Sequence, residues 1–265
     1  VGGTTDPSSI DVGIPITAKD WSLDNYGDNL IACPVGGGIY AWSGIDGDLQ
    51  ATRVDGAPYI SDGCFVAMPQ RQIIAWGSTF TGIQDPLLIR WCDVNNPTSW
   101  VATVTNQAGS YKISKGSRIV GGLQGPQQAF IWTDLAIWAM QYAGQPLVYQ
   151  FTEVGAGCGL IARRAAGVMS GVVYWMSQSQ FFMLGGSGIT PIPCPVWDVI
   201  FQDLDTAHLD KIRFAANSAF NEVAWYYPTR SSNGEVSHYV KLNVTLGAWD
   251  FGELSRTAWI NQSVF

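Results

Sequence analysis

The sequence predicts an all-β fold, a β-propeller of about five to six blades, whole or incomplete, with one short linking helix. Three observations carry this expectation. Short apolar strands ending in Trp recur along the chain. Gly (30 residues) and aromatics (12%) are abundant while charged residues make up only 13%, about half the usual ~25%. One stretch alone departs from the β pattern. Glycine, aromatic and β-branched residues favour tight turns and strands over helices, and a chain of 265 residues is long enough to bury its own core as a single all-β domain.

The repeated words are Ile39-Tyr40-Ala41-Trp42, Ile73-Ile74-Ala75-Trp76, Phe130-Ile131-Trp132, Val172-Val173-Tyr174-Trp175 and Val223-Ala224-Trp225, with Trp-to-Trp spacings of 34, 56, 43 and 50 residues. A strand precedes most of them: Leu30-Ile31-Ala32-Cys33, Ile119-Val120-Gly121-Gly122, Ala165-Ala166-Gly167-Val168 and Arg213-Phe214-Ala215-Ala216. Third strands follow at Leu135-Ala136-Ile137-Trp138, Phe181-Phe182-Met183-Leu184 and Tyr239-Val240-Lys241-Leu242, and fourth strands at Tyr149-Gln150-Phe151 and Gly247-Ala248-Trp249. Three or four short antiparallel strands repeated at this interval match propeller blades, which stack because one blade cannot cover both of its apolar faces. Large flat Trp side chains then fill the wedges between blades. A lone strand at Thr257-Ala258-Trp259-Ile260 opens a sixth unit.

The exception is Val196 to Leu204, where Val196, Ile200 and Leu204 recur at helical spacing after Pro195; this predicts a short helix between two blades. Residues 1–20 are rich in Gly, Pro, Ser and Asp without periodicity and read as an N-terminal arm or loop, leaving 21–265 as the propeller domain. The first residue is Val, not Met, which fits a processed chain or, better, a part of a longer one.

Composition narrows the function classes. A net charge of −7 does not supply the basic stripe of a nucleic-acid grip. No apolar run reaches the ~18 residues of a membrane helix, and no signal sequence opens the chain, so no membrane insertion by this domain is expected. Cys33, Cys64, Cys92, Cys158 and Cys194 are widely spaced without a CxxC pair. They read as buried thiols rather than zinc ligands or a disulfide framework.

Candidates for catalysis are few. His208 lies beside Asp205 and Asp210, a potential His/Asp pair, and reads as a solvated loop residue; His238 precedes Tyr239 and reads as a half-exposed strand residue. Gly155-Ala156-Gly157-Cys158-Gly159 lacks the Lys-Ser/Thr pair of a phosphate loop and reads as an inter-blade turn. Asp46 and Asp48 have too few companions for a calcium loop and read as a turn. The sequons Asn243-Val244-Thr245 and Asn261-Gln262-Ser263 stand without a secretory signal. The expected catalytic, cofactor-binding and metal-binding residues are therefore none, and the chain reads as a non-enzyme.

An ordered series of aromatic words carries a family likeness: Arg90-Trp91-Cys92-Asp93 through Asn96-Pro97 to Trp100, then Gly116-Ser117-Arg118-Ile119, Ile131-Trp132-Thr133-Asp134, Gly157-Cys158-Gly159-Leu160-Ile161, Val173-Tyr174-Trp175-Met176, Pro193-Cys194 and Phe220 through Pro228. Over roughly residues 85–252 this resembles the tail nozzle (tail tubular, or packaged-DNA stabilisation) proteins of short-tailed bacteriophages. The resemblance implies a structural virion protein, located in the tail. Its subunits would form a homo-oligomeric ring, six-fold in the family, around the genome ejection channel and help retain packaged DNA. The implied partners are other copies of the chain, neighbouring portal-adaptor and tail proteins, and DNA sliding without specific binding past a neutral or acidic wall. The family has no catalytic residues to carry over, and its members run longer than this chain. The alternative is a carbohydrate-binding or glycosidase-type propeller of a tail or host-recognition protein, which needs clustered acids. A third reading, a cellular interaction propeller, would show a stricter repeat.

Overall fold

The structure is a computed structural model that describes residues 20–45 and 50–255. Among the described residues five four-stranded antiparallel sheets follow one another along the chain. The first is β1 (Trp21–Tyr26), β2 (Asn29–Pro34), β3 (Tyr40–Trp42) and β4 (Thr52–Arg53). Next come β5 (Gly63–Ala67) and β6 (Gln72–Trp76), a small separate hairpin of β7 (Thr79–Phe80) and β8 (Ile83–Gln84), then β9 (Leu88–Trp91) and β10 (Gly109–Lys112), with sheet order β10-β9-β6-β5. The third sheet is β11 (Ile119–Gln124), β12 (Ala129–Thr133), β13 (Ala136–Gly144) and β14 (Val148–Ala156); the fourth is β15 (Ala166–Met169), β16 (Val172–Met176), β17 (Phe181–Gly185) and β18 (Gly188–Ile192). The helix α1 (Trp197–Asp203) leads to the fifth, β19 (Arg213–Asn217), β20 (Glu222–Pro228), β21 (Val236–Asn243) and β22 (Ala248–Glu253). This is a five-bladed propeller.

The chain divides into two compact units, Val1–Gln124 with Met140–Phe151, and Gly125–Ala139 with Thr152–Phe265. In the first unit every residue of β5 and β6 is buried, as both faces of these strands are covered. The edge of β5 is closed by side chains of β1: Ser22 Oγ accepts from the Cys64 N–H at 3.1 Å and Asp24 Oδ2 from the Val66 N–H at 2.8 Å. The matching steps, 22 to 24 and 64 to 66, mean that β1 and β5 run in the same direction. Gly63 permits this approach, since a Cβ there would meet the Trp76 ring and Ser22 Oγ. Buried Gln72 is fully used: its amide donates to Cys92 O at 2.7 Å, and its oxygen accepts from the Tyr149 hydroxyl at 2.8 Å.

In the second unit Trp175 and Trp225, both fully buried, do the wedging that their words predict. Each has its indole N–H paired with a backbone carbonyl, Trp175 with Cys158 O at 2.8 Å and Trp225 with Ala165 O at 2.9 Å. Both carbonyls lie in the link between β14 and β15; of the 155–159 run, expected as an inter-blade turn, Gly155 and Ala156 still belong to β14, and the link begins at Gly157. Trp132 meets Trp175 edge-on at 5.9 Å, and Phe181 packs on Trp225 at 4.7 Å. Ser170 and Gly171, both left-handed at φ 50° and 81°, make the two-residue turn between Met169 and Val172, as the twist of a tight hairpin requires.

The first blade corrects the expected alignment of the repeat. Leu30–Cys33 is not a first strand but lies on the second, because polar-alternating β1 precedes it. Trp42 accordingly ends the third strand and is 39% exposed. Cys33 occupies the place that Trp holds in other blades, its thiol against the carbonyls of Pro34 (3.4 Å), Ser61 (3.7 Å) and Gly37 (3.9 Å). The 56-residue gap before Trp132 is filled by the β7–β8 hairpin and the long β9–β10 connection. The predicted helix is present, with Ile200 and Leu204 buried and Asp198 in its first turn, where a negative charge suits the helix dipole. The arm at 1–19, Asp46 and Asp48, the strand at 257–260 and the 261–263 sequon lie outside the described residues.

Gly159 tests the packing of the second unit. A Cβ there would run into the Asp134 carbonyl and Leu135 N, whereas one at Gly186 meets nothing. Gly159→Ala is expected to cost about 2 kcal/mol through overpacking in a urea titration, and Gly186→Ala to leave the midpoint within error.

Candidate functional site

The chain has two histidines, and both lie at one corner of the second unit. The polypeptide after α1 returns against the end of β20: Asp205 N donates to Pro228 O at 3.0 Å, and Arg230 N to Asp203 O at 2.9 Å. His208 Nδ1 sits 2.7 Å from Asp205 Oδ2, so the histidine expected to be a solvated loop residue, while 44% exposed, does pair with Asp205. Asp210 instead receives Arg213 on its backbone carbonyl. Gly234 lets the 229–235 loop lie directly on the His208 ring, where a Cβ would be 2.8 Å from three ring atoms. Lys211 and Glu235 close the corner with an exposed ion pair at 2.8 Å.

His238 enters the corner through a β-bulge. Tyr227 pairs with His238, but Pro228 pairs with Val236, so Ser237 is the extra residue and turns toward its neighbour's side. Its hydroxyl lies 2.9 Å from His238 Nδ1 and 3.1 Å from the hydroxyl of buried Thr229, which meets Ser231 Oγ at 3.2 Å. A hydroxyl–imidazole pair suggests a nucleophile and its base, but the third partner is out of place. Glu253 Oε1 stands 4.0 Å from His238 Nε2, beyond hydrogen-bond reach. What the arrangement does is brace the 228–238 loop. His238, with a side chain 24% exposed, is the half-exposed strand residue anticipated. Ser237 gave no signal in the sequence, since adjacent strand residues ordinarily point to opposite faces.

Elsewhere the polar and thiol groups are absorbed into structure. All five cysteines are buried free thiols, and burial pushes the Cys92 thiol up to about 12, which suppresses thiolate chemistry. Asn243 of the first sequon donates its amide to Phe220 O at 3.1 Å and accepts from the backbone of Thr245 and Leu246. Among the described residues no cluster of His, Cys, Asp and Glu could hold a metal ion, and no helix is long and apolar enough to cross a membrane.

The words that open the family likeness build one loop in the first unit. Arg90 donates to Thr79 O and Trp100 O, both at 3.0 Å, and burial lowers the proton affinity of its guanidinium. Asp93 N donates to Ser99 O at 2.8 Å while Asp93 Oδ1 accepts from the N–H groups of Val94 and Gln107, each at 2.8 Å. Trp100 Nε1 donates to Pro97 O at 2.6 Å. Asn106 spans the tip: Oδ1 accepts from Thr103 N at 2.9 Å, and Nδ2 donates to Val101 O at 2.8 Å and Ser99 Oγ at 3.2 Å. With the polar groups turned inward, Val101 and Val104 face solvent, 72% and 97% exposed.

No family model matches the chain, and no curated protein does. Solved structures do match. Dihydro-heme d1 dehydrogenase NirN in complex with DHE aligns with 90% of this chain and 47% of its own at a TM-score of 0.51 and 12% identity. A protein designated TolB from Agrobacterium tumefaciens aligns over 91% and 83%, with TM-score 0.51 and 12% identity. Synechocystis apocarotenoid oxygenase, a Trp149Ala mutant in that protein's numbering, aligns over 89% and 60% at a TM-score of 0.44 and 10% identity. The likeness to NirN and to the TolB protein, both at a TM-score of 0.51, is one of fold. It identifies the propeller, and the chain spans about half the length of NirN.

The Asp205–His208 pair has a definite pH signature. The hydrogen bond from His208 holds the Asp205 carboxyl below its usual range. A depressed carboxyl contributes stability above its unfolded pKa of about 3.9, which is lost as pH falls through the lower folded value. His208→Ala is therefore expected to lower the urea midpoint at pH 6, with the difference from the parent chain vanishing once the pH has fallen through the lowered value of the folded carboxyl. A difference that persists at low pH would show that His208 acts through packing alone.

Proposed function

We propose that this chain is a structural propeller without chemistry of its own, a subunit of a larger assembly, and that the assembly is the tail of a short-tailed bacteriophage. The observation that carries the structural reading is where the exposed apolar side chains lie. In an antiparallel four-stranded blade the first-to-second and third-to-fourth connections leave by the same end. In the first unit such connections expose Met68, Val101, Val104 and Leu147; in the second they expose Phe220 and Leu246. Scattered apolar residues are normal on a monomer, and the first unit also exposes Phe80 and Ile83 at its other end, but several large apolar side chains gathered on the connecting loops within each unit mark a surface made to be covered. The scarcity of charge points the same way, since a free surface ordinarily carries more.

The tail assignment rests on the aromatic words shared with nozzle proteins. In that setting copies of the chain would form a ring through head-to-tail contacts, around a channel whose scarcity of positive charge leaves passing phosphates unbound. The carbohydrate alternative draws on no observation of comparable weight, as its paired acids have no counterpart in the geometry of the histidine corner.

The test is to recover native particles through a tag on this chain and image them. A ring of copies in the tail is the expected result. Recovery of the chain only as a free monomer, or polysaccharide turnover lost on changing one carboxylate, would overturn the reading.

A further inference from the structure

We propose that the loop end of the first unit, built from residues 94–111 and 140–147, is where one copy of the chain meets another. This deepens the structural reading above by naming a surface and its occupant. The two segments are one surface: the Tyr142 hydroxyl donates to Gln107 Oε1 at 2.7 Å and Gln145 Nε2 to Asn106 O at 3.3 Å. Its apolar tips are Val101, Val104 and Leu147, the last 66% exposed.

Three properties select a second copy as the occupant. The first is charge. Neither segment contains Asp, Glu, Lys, Arg or His, although the chain as a whole carries −7. Identical acidic molecules repel wherever their charges face one another, and an uncharged end removes that penalty locally. The neighbouring cations are already partnered within the unit, with Lys112 on Asp85 at 2.6 Å and the Arg71 guanidinium over the Tyr26 ring at 5.0 Å. The second is polar satisfaction. Asn106 and Asp93 already bind the loop's own backbone, so covering the tips strands few donors. The third is preorganisation. The same bonds fix the loop before contact, and Val148, a β-branched residue held at φ 62°, sets the turn that presents Leu147; ordering costs on association are correspondingly small. A lipid surface fits less well, because interfacial docking draws on basic residues and this end has none.

The five native cysteines are buried, so Val104→Cys places one accessible thiol at the tip. Labelled there with an environment-sensitive fluorophore, the full chain is followed by emission and by sedimentation over a concentration series. The expected result is a blue shift that tracks self-association, together with at least a tenfold weaker association in Val104→Asp and in Leu147→Asp. Self-association that both aspartate variants leave unchanged, with the label exposed throughout, would overturn the assignment of this surface while leaving the structural reading standing. A chain monomeric at every concentration would overturn the inference outright. So would a blue shift that occurs only with phosphatidylcholine vesicles, which would make a lipid surface the occupant.

Discussion

The architecture depends on one packing constraint: the blades approach so closely that backbone, indole ring and carbonyl must share the same space. Gly63 lies against Trp76 and Ser22, Gly159 against the Asp134 carbonyl, and Gly167 against the Phe214 ring. At each place a methyl group would collide. The indole is the complementary half of the arrangement. It is flat enough to enter the wedge, and its single N–H then demands an acceptor, because a buried unpaired donor costs about as much as the lost bond, a demand that Trp132 and Trp138 leave unmet. Trp175 and Trp225 meet that demand by reaching the carbonyls of the link between β14 and β15. The connection between blades is thereby pinned by the same side chains that fill the space beside it.

The parts of this plan that each residue states for itself are legible in the sequence. An apolar run leading into Trp, as at 175 and 225, announces both its period and its burial, although β16 and β20 run on to Met176 and Pro228, and the helix at 197–203 declares itself by the spacing of Ile200 and Leu204. What the sequence conceals is set by neighbours. β1 reads Trp-Ser-Leu-Asp-Asn-Tyr, a polar pattern whose purpose is to cap the amides of β5, and nothing local reveals that partner. Without β1 the first blade is counted one strand out of step, which is how Trp42 takes the position that belongs to Cys33. The histidine corner divides the same way. Asp205 and His208 are three residues apart and their meeting is readable, whereas Ser237 and His238 share a side only because of a bulge specified by the pairing with β20.

The loop from Arg90 to Gln107 separates two tasks that usually compete. Its aspartate, asparagine and threonine side chains are spent on its own backbone, so its shape does not depend on what covers it. Its apolar residues are then free to be placed outward without unfolding the segment that carries them. This accounts for a combination otherwise unfavourable in water, a nearly fully exposed Val104 on a well-bonded scaffold.

The sheet order has a further consequence for how copies can come together. The last strand of each blade leaves a row of backbone groups unpaired by its own sheet, the kind of edge that invites runaway strand-to-strand joining. Four of the five edges are blunted: β4 is two residues long, β10 ends in Lys112, β18 contains Pro191, which has no N–H to offer, and β22 carries Asp250 and Glu253. Fibre-like growth through those four rims is thus discouraged.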